Sequence, residues 1–345
     1  TGGGCPHILA EPQRTNLITY SNTTNQWTDV GITYSVDSII SPDGTLNGSK
    51  AIIDDTITAS NTRPMASVSV TSGLDYVFSV FGKADEFDII NLDFSNGAFS
   101  TASATYNLTN GTVTSSSGLN VSQGVEDYGN GWYRCYVVAT AIATTTSALI
   151  IRLDDNPTGD GTSGLYVYGA SFELGSYPTS YIPTDGGTVT RNQDIFTRDG
   201  IGNLINSTEG VLFVEMAALS DDLTYRSLTI SDGTNNNRII IRYSNASNIL
   251  QALCYIPTGL TGFCEYTLTD ETSFSKIAFK YKLNDFALWI DGTEVATDLS
   301  GAVPTGLNTL DFAIPSDTQH LFGKVKQLQV YDTALSPTQL AALTS

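Results

Sequence analysis

The stretch "FSKIAFKYKLNDFALWIDGTEVATDL", residues 274–299, decides the fold class. Within it Phe286, Leu288 and Ile290 alternate with Ala287 and Trp289. That period of two suits a strand and not a helix. Asn284-Asp285 and Asp291-Gly292 interrupt the apolar run with residues that tolerate turn backbone, so the stretch reads as a meander of short strands. The same signature extends outward in both directions. "GVLFVEMAAL" (210–219), "RSLTISD" (226–232) and "RIIIRYS" (238–244) are short β-branched runs, and "SDGTNNNR" between the last two has hairpin-loop chemistry. Nearer the N-terminus, residues 74–85, 131–142, 147–155 and 163–174 read the same way. In 163–174, Leu165, Val167 and Gly169 fall on one face and Tyr166, Tyr168 and Ala170 on the other, which predicts a strand covered on both sides.

Helical signals are confined to "SPTQLAALTS", residues 336–345. Ser336 with Gln339 three positions on forms a capping-box pattern, Pro337 suits the first helical position, and Leu340 and Leu343 make one apolar stripe. Regularly spaced strands with one short helix predict an all-β protein built from tandem antiparallel β-sandwiches.

The strands form two sets, divided by "GSYPTSYIPTDGGTVTRNQD", residues 175–194. Tyr177, Tyr181 and Ile182 call for burial, so residues 175–182 are read as packing back on the first set. Residues 184–203 are the expected connection, with a strand near 188–191. The expected organisation is a lead-in at 1–13, a first domain at 14–183, a linker at 184–203 and a second domain at 204–345.

Composition narrows the function classes. The chain has 345 residues, 41% of them apolar, enough for two buried cores. Acidic residues outnumber basic ones 35 to 16, for a net charge of −19, which opposes binding to a phosphate backbone. No run approaches the roughly 18 apolar residues of a membrane span, so neither nucleic acid nor membrane insertion is expected. The four cysteines, Cys5, Cys135, Cys254 and Cys264, contain no CxxC pair. Cys254 and Cys264 flank a hairpin tip, as either a cross-strand disulfide or two buried thiols.

Three segments carry a family resemblance. "EPQRTNLITYSN" (11–22), "GNGWYRC" (129–135) and "GDGTSGLYVYGASFELGSYPTSYIPTDGGTVTRNQD" (159–194) resemble a module of tailed-bacteriophage tail-fibre and head-appendage proteins, itself similar to jelly-roll carbohydrate-binding domains. "ALWIDGTEVA" (287–296) followed by "FGKVKQLQVYDTALSPTQLAAL" (322–343) resembles the concanavalin A-like, laminin-G-type sandwich. The first resemblance implies that Thr1 is a cut point within a longer chain. Together they imply a virion location and, as partners, bacterial surface polysaccharide, other virion proteins and copies of the chain itself, as a trimer.

Sugar binding requires an aromatic plate and planar polar groups. Trp27, in the loose "NTTNQWTDVG", and Tyr225, Tyr243 and Tyr255, in or beside loops of the second domain, are the candidates. Trp132 and Trp289 lie within strands and read as core. For calcium, a structural ion that the jelly-roll resemblance implies, Asp154, Asp155 and Asp160 in "LDDNPTGDG" offer carboxylates, with a solvated acidic turn as the other reading. Catalytic signals are sparse. His7 and His320 are the two histidines, and GxSxG, HExxH and phosphate-loop motifs are missing. Lys280 and Tyr281 are strand neighbours that point to opposite faces and so cannot share a site. The expectation is a non-catalytic virion adhesin for glycan. A structural spacer, or a polysaccharide-degrading enzyme or its accessory module, are the alternatives.

Overall fold

A computed structural model describes residues 7–22, 26–55, 63–95, 97–119, 121–153 and 158–345. The chain divides into two compact units. The first spans Gln13–Asn192; the second takes Gln193–Ser345 together with residues 7–12. Each unit is a pair of six-stranded antiparallel sheets, the tandem-sandwich architecture expected from the sequence.

In the first unit one sheet runs in the order Thr112–Ser117, Ser103–Asn107, Ile89–Ser95, Thr145–Leu153, Arg63–Val70, Thr28–Val30. The other runs Val121–Asp127, Trp132–Thr140, Asp75–Lys83, Gly164–Leu174, Leu46–Ile53, Ile32–Ile40. Alternation sends Tyr76, Phe78 and Val80 of the second sheet inward against Ile90, Leu92 and Phe94 of the first. Tyr76 and Phe172 stack at 5.2 Å in that core.

Strand Gly164–Leu174 is buried on both faces, as its apolar composition requires, but its alternation breaks midway. The register shifts between Tyr168 and Ser171, and Gly169 takes φ +58°. Leu165 and Val167 therefore point inward before the bulge, and Ala170 and Phe172 after it. This corrects the simple two-face reading, which placed Gly169 with Leu165 and Ala170 with Tyr166. A glycine at the bulge adopts the left-handed backbone without strain.

The outer face of that sheet is covered by residues 175–184. Arg134, 2% exposed, donates from Nη1 to the carbonyl of Thr179 (2.6 Å) and from Nη2 to Ser79 Oγ (3.1 Å). Its Nη2 lies 3.7 Å from Glu173 Oε1. Glu173 in turn accepts from Ser171 Oγ (2.8 Å) and Thr179 Oγ1 (2.5 Å). Buried Asn16 donates to the carbonyls of Ala170 (3.1 Å) and Ile182 (2.9 Å), and its Oδ1 accepts from Phe172 N at 3.0 Å. Tyr177 and Ile182 are buried and Tyr181 half-buried, as expected. Val189–Arg191 forms a two-stranded ribbon with Arg14–Asn16. The three segments that carry the phage resemblance thus converge, through Asn16, Arg134 and Glu173, on one buried clip.

In the second unit one sheet is ordered Ile8–Ala10, Gly323–Tyr331, Glu209–Ala218, Ser275–Lys282, Phe286–Ile290, Thr293–Asp298. Phe286, Leu288 and Ile290 enter the inter-sheet core; Ala287 and Trp289 face the other way, under helix Pro337–Thr344. Ser336 N donates to Gln339 Oε1 at 2.9 Å, one half of the expected box. The facing sheet runs Thr197–Arg198, Thr309–Asp311, Arg226–Ser231, Arg238–Tyr243, Ile249–Ile256, Gly259–Thr267. Cys254 pairs with Gly262 and Cys264 with Ala252, so the two thiols sit diagonally across the hairpin and are free and buried. Burial pushes each up to about 12.

Candidate functional site

The outer face of the second unit's Arg226–Ser231 sheet gathers the chemistry a sugar requires. In strand Arg238–Tyr243, the sequence Arg-Ile-Ile-Ile-Arg-Tyr sends Ile239, Ile241 and Tyr243 into the core. Alternation therefore turns Arg238, Ile240 and Arg242 outward. Register places Arg238 opposite Tyr255, Ile240 opposite Leu253, and Arg242 opposite Gln251, which itself lies opposite Glu265. Ile314 packs over Ile240 and Leu253, so the middle row is dry and the outer rows are polar.

Both arginines lie over tyrosine rings. The Arg238 guanidinium carbon is 4.3 Å from the centre of the Tyr255 ring, and that of Arg242 is 4.2 Å from the Tyr225 ring. Arg242 Nε donates to Gln251 Oε1 (2.9 Å) and Nη1 to Gln319 Oε1 (3.4 Å); Gln251 Nε2 donates to Glu265 Oε2 (2.8 Å). Arg238 bonds Asn235 Oδ1 through Nη1, while its buried Nε has no hydrogen-bond partner. Partial burial pulls both guanidinium groups below their ordinary range, and Arg238 repels Arg242 in addition.

The structure thus brings two candidates, Tyr225 and Tyr255, to one face, each half-buried beneath an arginine. Tyr243 is corrected. It ends strand Arg238–Tyr243 beside a loop, as read, but is 0% exposed and donates to the carbonyl of Met216 at 3.3 Å, so it offers no surface to a ligand. Trp27 belongs to the first unit, half-buried against its core, with its indole N–H held by the carbonyl of Tyr20 at 2.6 Å. Trp132 and Trp289 are core residues, as read from their strands. Arg238, Arg242 and Gln251 were missed. The signal for the two arginines was their even spacing in "RIIIRY", which puts Arg238 and Arg242 on one strand face.

Asp160 spends its oxygens on its own turn, accepting from Thr162 N (2.9 Å), Ser163 N (2.6 Å) and Ser163 Oγ (2.6 Å). Those bonds, led by Ser163, hold its carboxyl well below the usual range. Asp160 thus closes an exposed turn. Asp154 and Asp155 lie outside the described residues. Among the described residues no three acidic, histidine or cysteine side chains are placed to hold a metal.

His320 sits 3.7 Å from Asp317, 3.3 Å from Gln193 Nε2, and stacks on Phe322; His7 meets Phe274 edge-on. Tyr281 is buried in the core, with Lys280 bound to Asp285. Glu271 is 4% exposed, its Oε2 unpartnered. Burial, then the charge of Asp221, raises its carboxyl to about 7. A carboxyl raised on folding stabilises fully below its unfolded value of about 4.5 and loses that contribution as pH rises through 7. Glu271→Gln is therefore expected to raise the midpoint of thermal unfolding at pH 8 and to leave it nearly unchanged at pH 4.5. An equal shift at both pH values would sink the assignment.

No protein-family model matches the chain. No curated protein matches it. Solved structures with some likeness include the CBM40 of a Ruminococcus gnavus IT-sialidase bound to α2,3-sialyllactose (16% identity, 44% of this chain and 98% of that one, TM-score 0.36). A Bacteroides ovatus candidate carbohydrate-binding protein matches at 8% identity (84% and 80% coverage, TM-score 0.32). Domains LG4-5 of the mouse laminin α1 chain match at 10% (81% and 89% coverage, TM-score 0.28). At these TM-scores the likenesses carry no argument about what this chain binds.

Proposed function

We propose that this chain is a non-catalytic, glycan-binding part of a phage fibre or head appendage, displayed on the virion and directed at bacterial surface polysaccharide. The observation that supports it is the outward face bearing Tyr225, Tyr255, Arg238, Arg242 and Gln251. The guanidinium and amide groups supply planar hydrogen bonding to hydroxyls, and the rings beneath hold the guanidinium groups in place at low entropic cost. Assembly into a trimer, as the sequence resemblance implies, multiplies avidity without strengthening any one contact.

A second reading, that part of the chain is a spacer, is favoured for the first unit. Asn16, Arg134 and Glu173, which lie in the three segments that carry the resemblance, are buried in a clip and are not presented at the surface. The first unit then positions the second on the particle.

The test is a glycan array probed with the whole chain, multimerised. Wild type is expected to retain bacterial polysaccharides, and Tyr225→Ala and Tyr255→Ala, each of which removes the ring that supports an arginine, to lose at least about tenfold in binding. Bound polysaccharide is expected to keep its chain length on prolonged incubation. An empty array would reject the glycan reading, and shortened chains would reject the non-catalytic one.

A further inference from the structure

We infer that the saccharide taken by this face is acidic, with carboxylates received at Arg238 and at Arg242, four residues apart on one strand. The inference rests on the glycan-binding reading above and goes further by naming the ligand class.

Three other arginines of the chain have carboxylate partners. Arg134 faces Glu173 at 3.7 Å and Arg152 meets Asp93 at 2.7 Å. Arg226, on the neighbouring strand of the same sheet, is paired with Asp222. Guanidinium forks match carboxylates in two-pronged geometry, and a chain with 35 acidic side chains has ample partners to offer. Arg238 and Arg242 are half-buried, yet neither forms an ion pair among the described residues. Their neighbours are neutral: Tyr255 and Asn235 for one, Tyr225, Gln251 and Gln319 for the other. The nearest carboxylate along the row, Glu265, is held one residue away by Gln251.

Two like charges placed in a partly desolvated site without a counter-charge cost free energy. Folding does not require that cost, since Ile240 and Leu253 already bury the centre of the face under Ile314. An incoming carboxylate would relieve it. Stacking on Tyr225 and Tyr255 holds both guanidinium planes in place, and Gln251 and Gln319 fix the tilt of Arg242. Little side-chain entropy then remains to be lost on binding. The chain as a whole, at −19, repels an anionic polymer. Recognition of one therefore needs a local cationic site, and this face supplies it.

The test uses the whole chain in a biosensor against a panel of bacterial polysaccharides and oligosaccharides bearing uronic or nonulosonic acids. Each is presented beside its own carboxyl-reduced form, with neutral and sulfated glycans included. The expected result is retention of an acidic glycan, at least tenfold weaker binding of its reduced form, and loss of binding as salt is raised. Arg238→Gln and Arg242→Gln should each weaken it at least tenfold. Arg242→Lys, which keeps the charge and loses the fork, should fall between, with unfolding midpoints confirming that the variants fold. Equal binding of acidic and reduced forms, or indifference to both Gln variants, would overturn the acidic assignment while leaving glycan binding standing. Binding of sulfated glycans alone would overturn the carboxylate in favour of a sulfate ester. Failure to bind any glycan would overturn both readings.

Discussion

Arg134→Met is expected to destabilise the first unit by about 3–5 kcal/mol, the usual cost of leaving a buried charge without its partner. At roughly 2–4 °C per kcal/mol for a domain of this size, its thermal transition should fall by about 6–20 °C. The second unit, with its own core, should unfold where it did before. Three losses coincide at the position. Glu173 is left as an unpaired buried carboxylate, the Thr179 carbonyl loses its 2.6 Å donor, and Ser79 Oγ loses both of its own. The clip that holds residues 175–184 opens, uncovering Phe81 and Tyr168. The pH dependence carries the diagnosis. Burial already raises the Glu173 carboxyl above its ordinary value, outweighing the opposing pull of Thr179, Arg134 and Ser171. A raised folded value means that its protonated form stabilises at low pH, and that this stabilisation is lost as pH rises through the folded pKa. Without Arg134 the folded value climbs further, so the deficit of Arg134→Met should be largest above neutrality and shrink on acidification. Calorimetry at pH 5 and pH 8 reads this directly. A deficit equal at both would mean that the lost hydrogen bonds, and not Glu173, are responsible. Replacing both partners with apolar residues, Arg134→Met with Glu173→Leu, should recover a large part of the loss.

What was legible in the sequence follows from which forces act locally. Alternation in "FALWI" assigned Trp289 to one face and Leu288 to the other correctly, because a two-residue period needs no knowledge of distant partners. Asn284 and Asp291 adopt positive φ at the two turns read from their chemistry. Tyr243 was misplaced because its neighbours Ser244 and Asn245 resemble a loop. Its own alternation with Ile239 and Ile241 already pointed inward. Gly169 hid a bulge, which shifts register without any change in composition. The lead-in was the least legible element. Ile8–Ala10 pairs with Gly323–Val325, more than three hundred residues away, and nothing in a three-residue apolar stretch names such a partner. The binding face was half legible. The rings could be seen as candidates, but the arginines beneath which they lie come from strands set beside them only by folding.

Leu340→Ala is expected to cost the second unit about 2–5 kcal/mol, the range for deleting a buried leucine side chain, and to shift Trp289 fluorescence to the red. The central strands of its first sheet are apolar on both faces. Leu212 and Val214 face the inter-sheet core, while Val211 and Phe213 join Ala278, Ala287 and Trp289 under the helix. Leu340 is the fully buried side chain that closes this outer layer, with Leu335, Ala341 and Leu343 at its margin. Eight residues are too few for a helix to persist in water by itself. It is held by Leu340 and by its own far end, where Thr344 Oγ1 accepts from Gly292 N at 3.0 Å and donates to the Leu340 carbonyl at 2.8 Å. Removing the Leu340 side chain should therefore release the helix as a unit. The loss would then fall toward the upper end of that range, and Trp289 would be wetted. Deleting residues 336–345 should go further and expose Val211, Phe213 and Trp289 together, a contiguous apolar patch of the kind that drives association. The deletion variant is expected to self-associate at concentrations where the full chain does not, as read by light scattering. Near-native stability of Leu340→Ala with unchanged Trp289 emission would show that the sheet keeps its outer face dry without the helix. The short C-terminal element would then be an ornament of the sandwich and not its third layer.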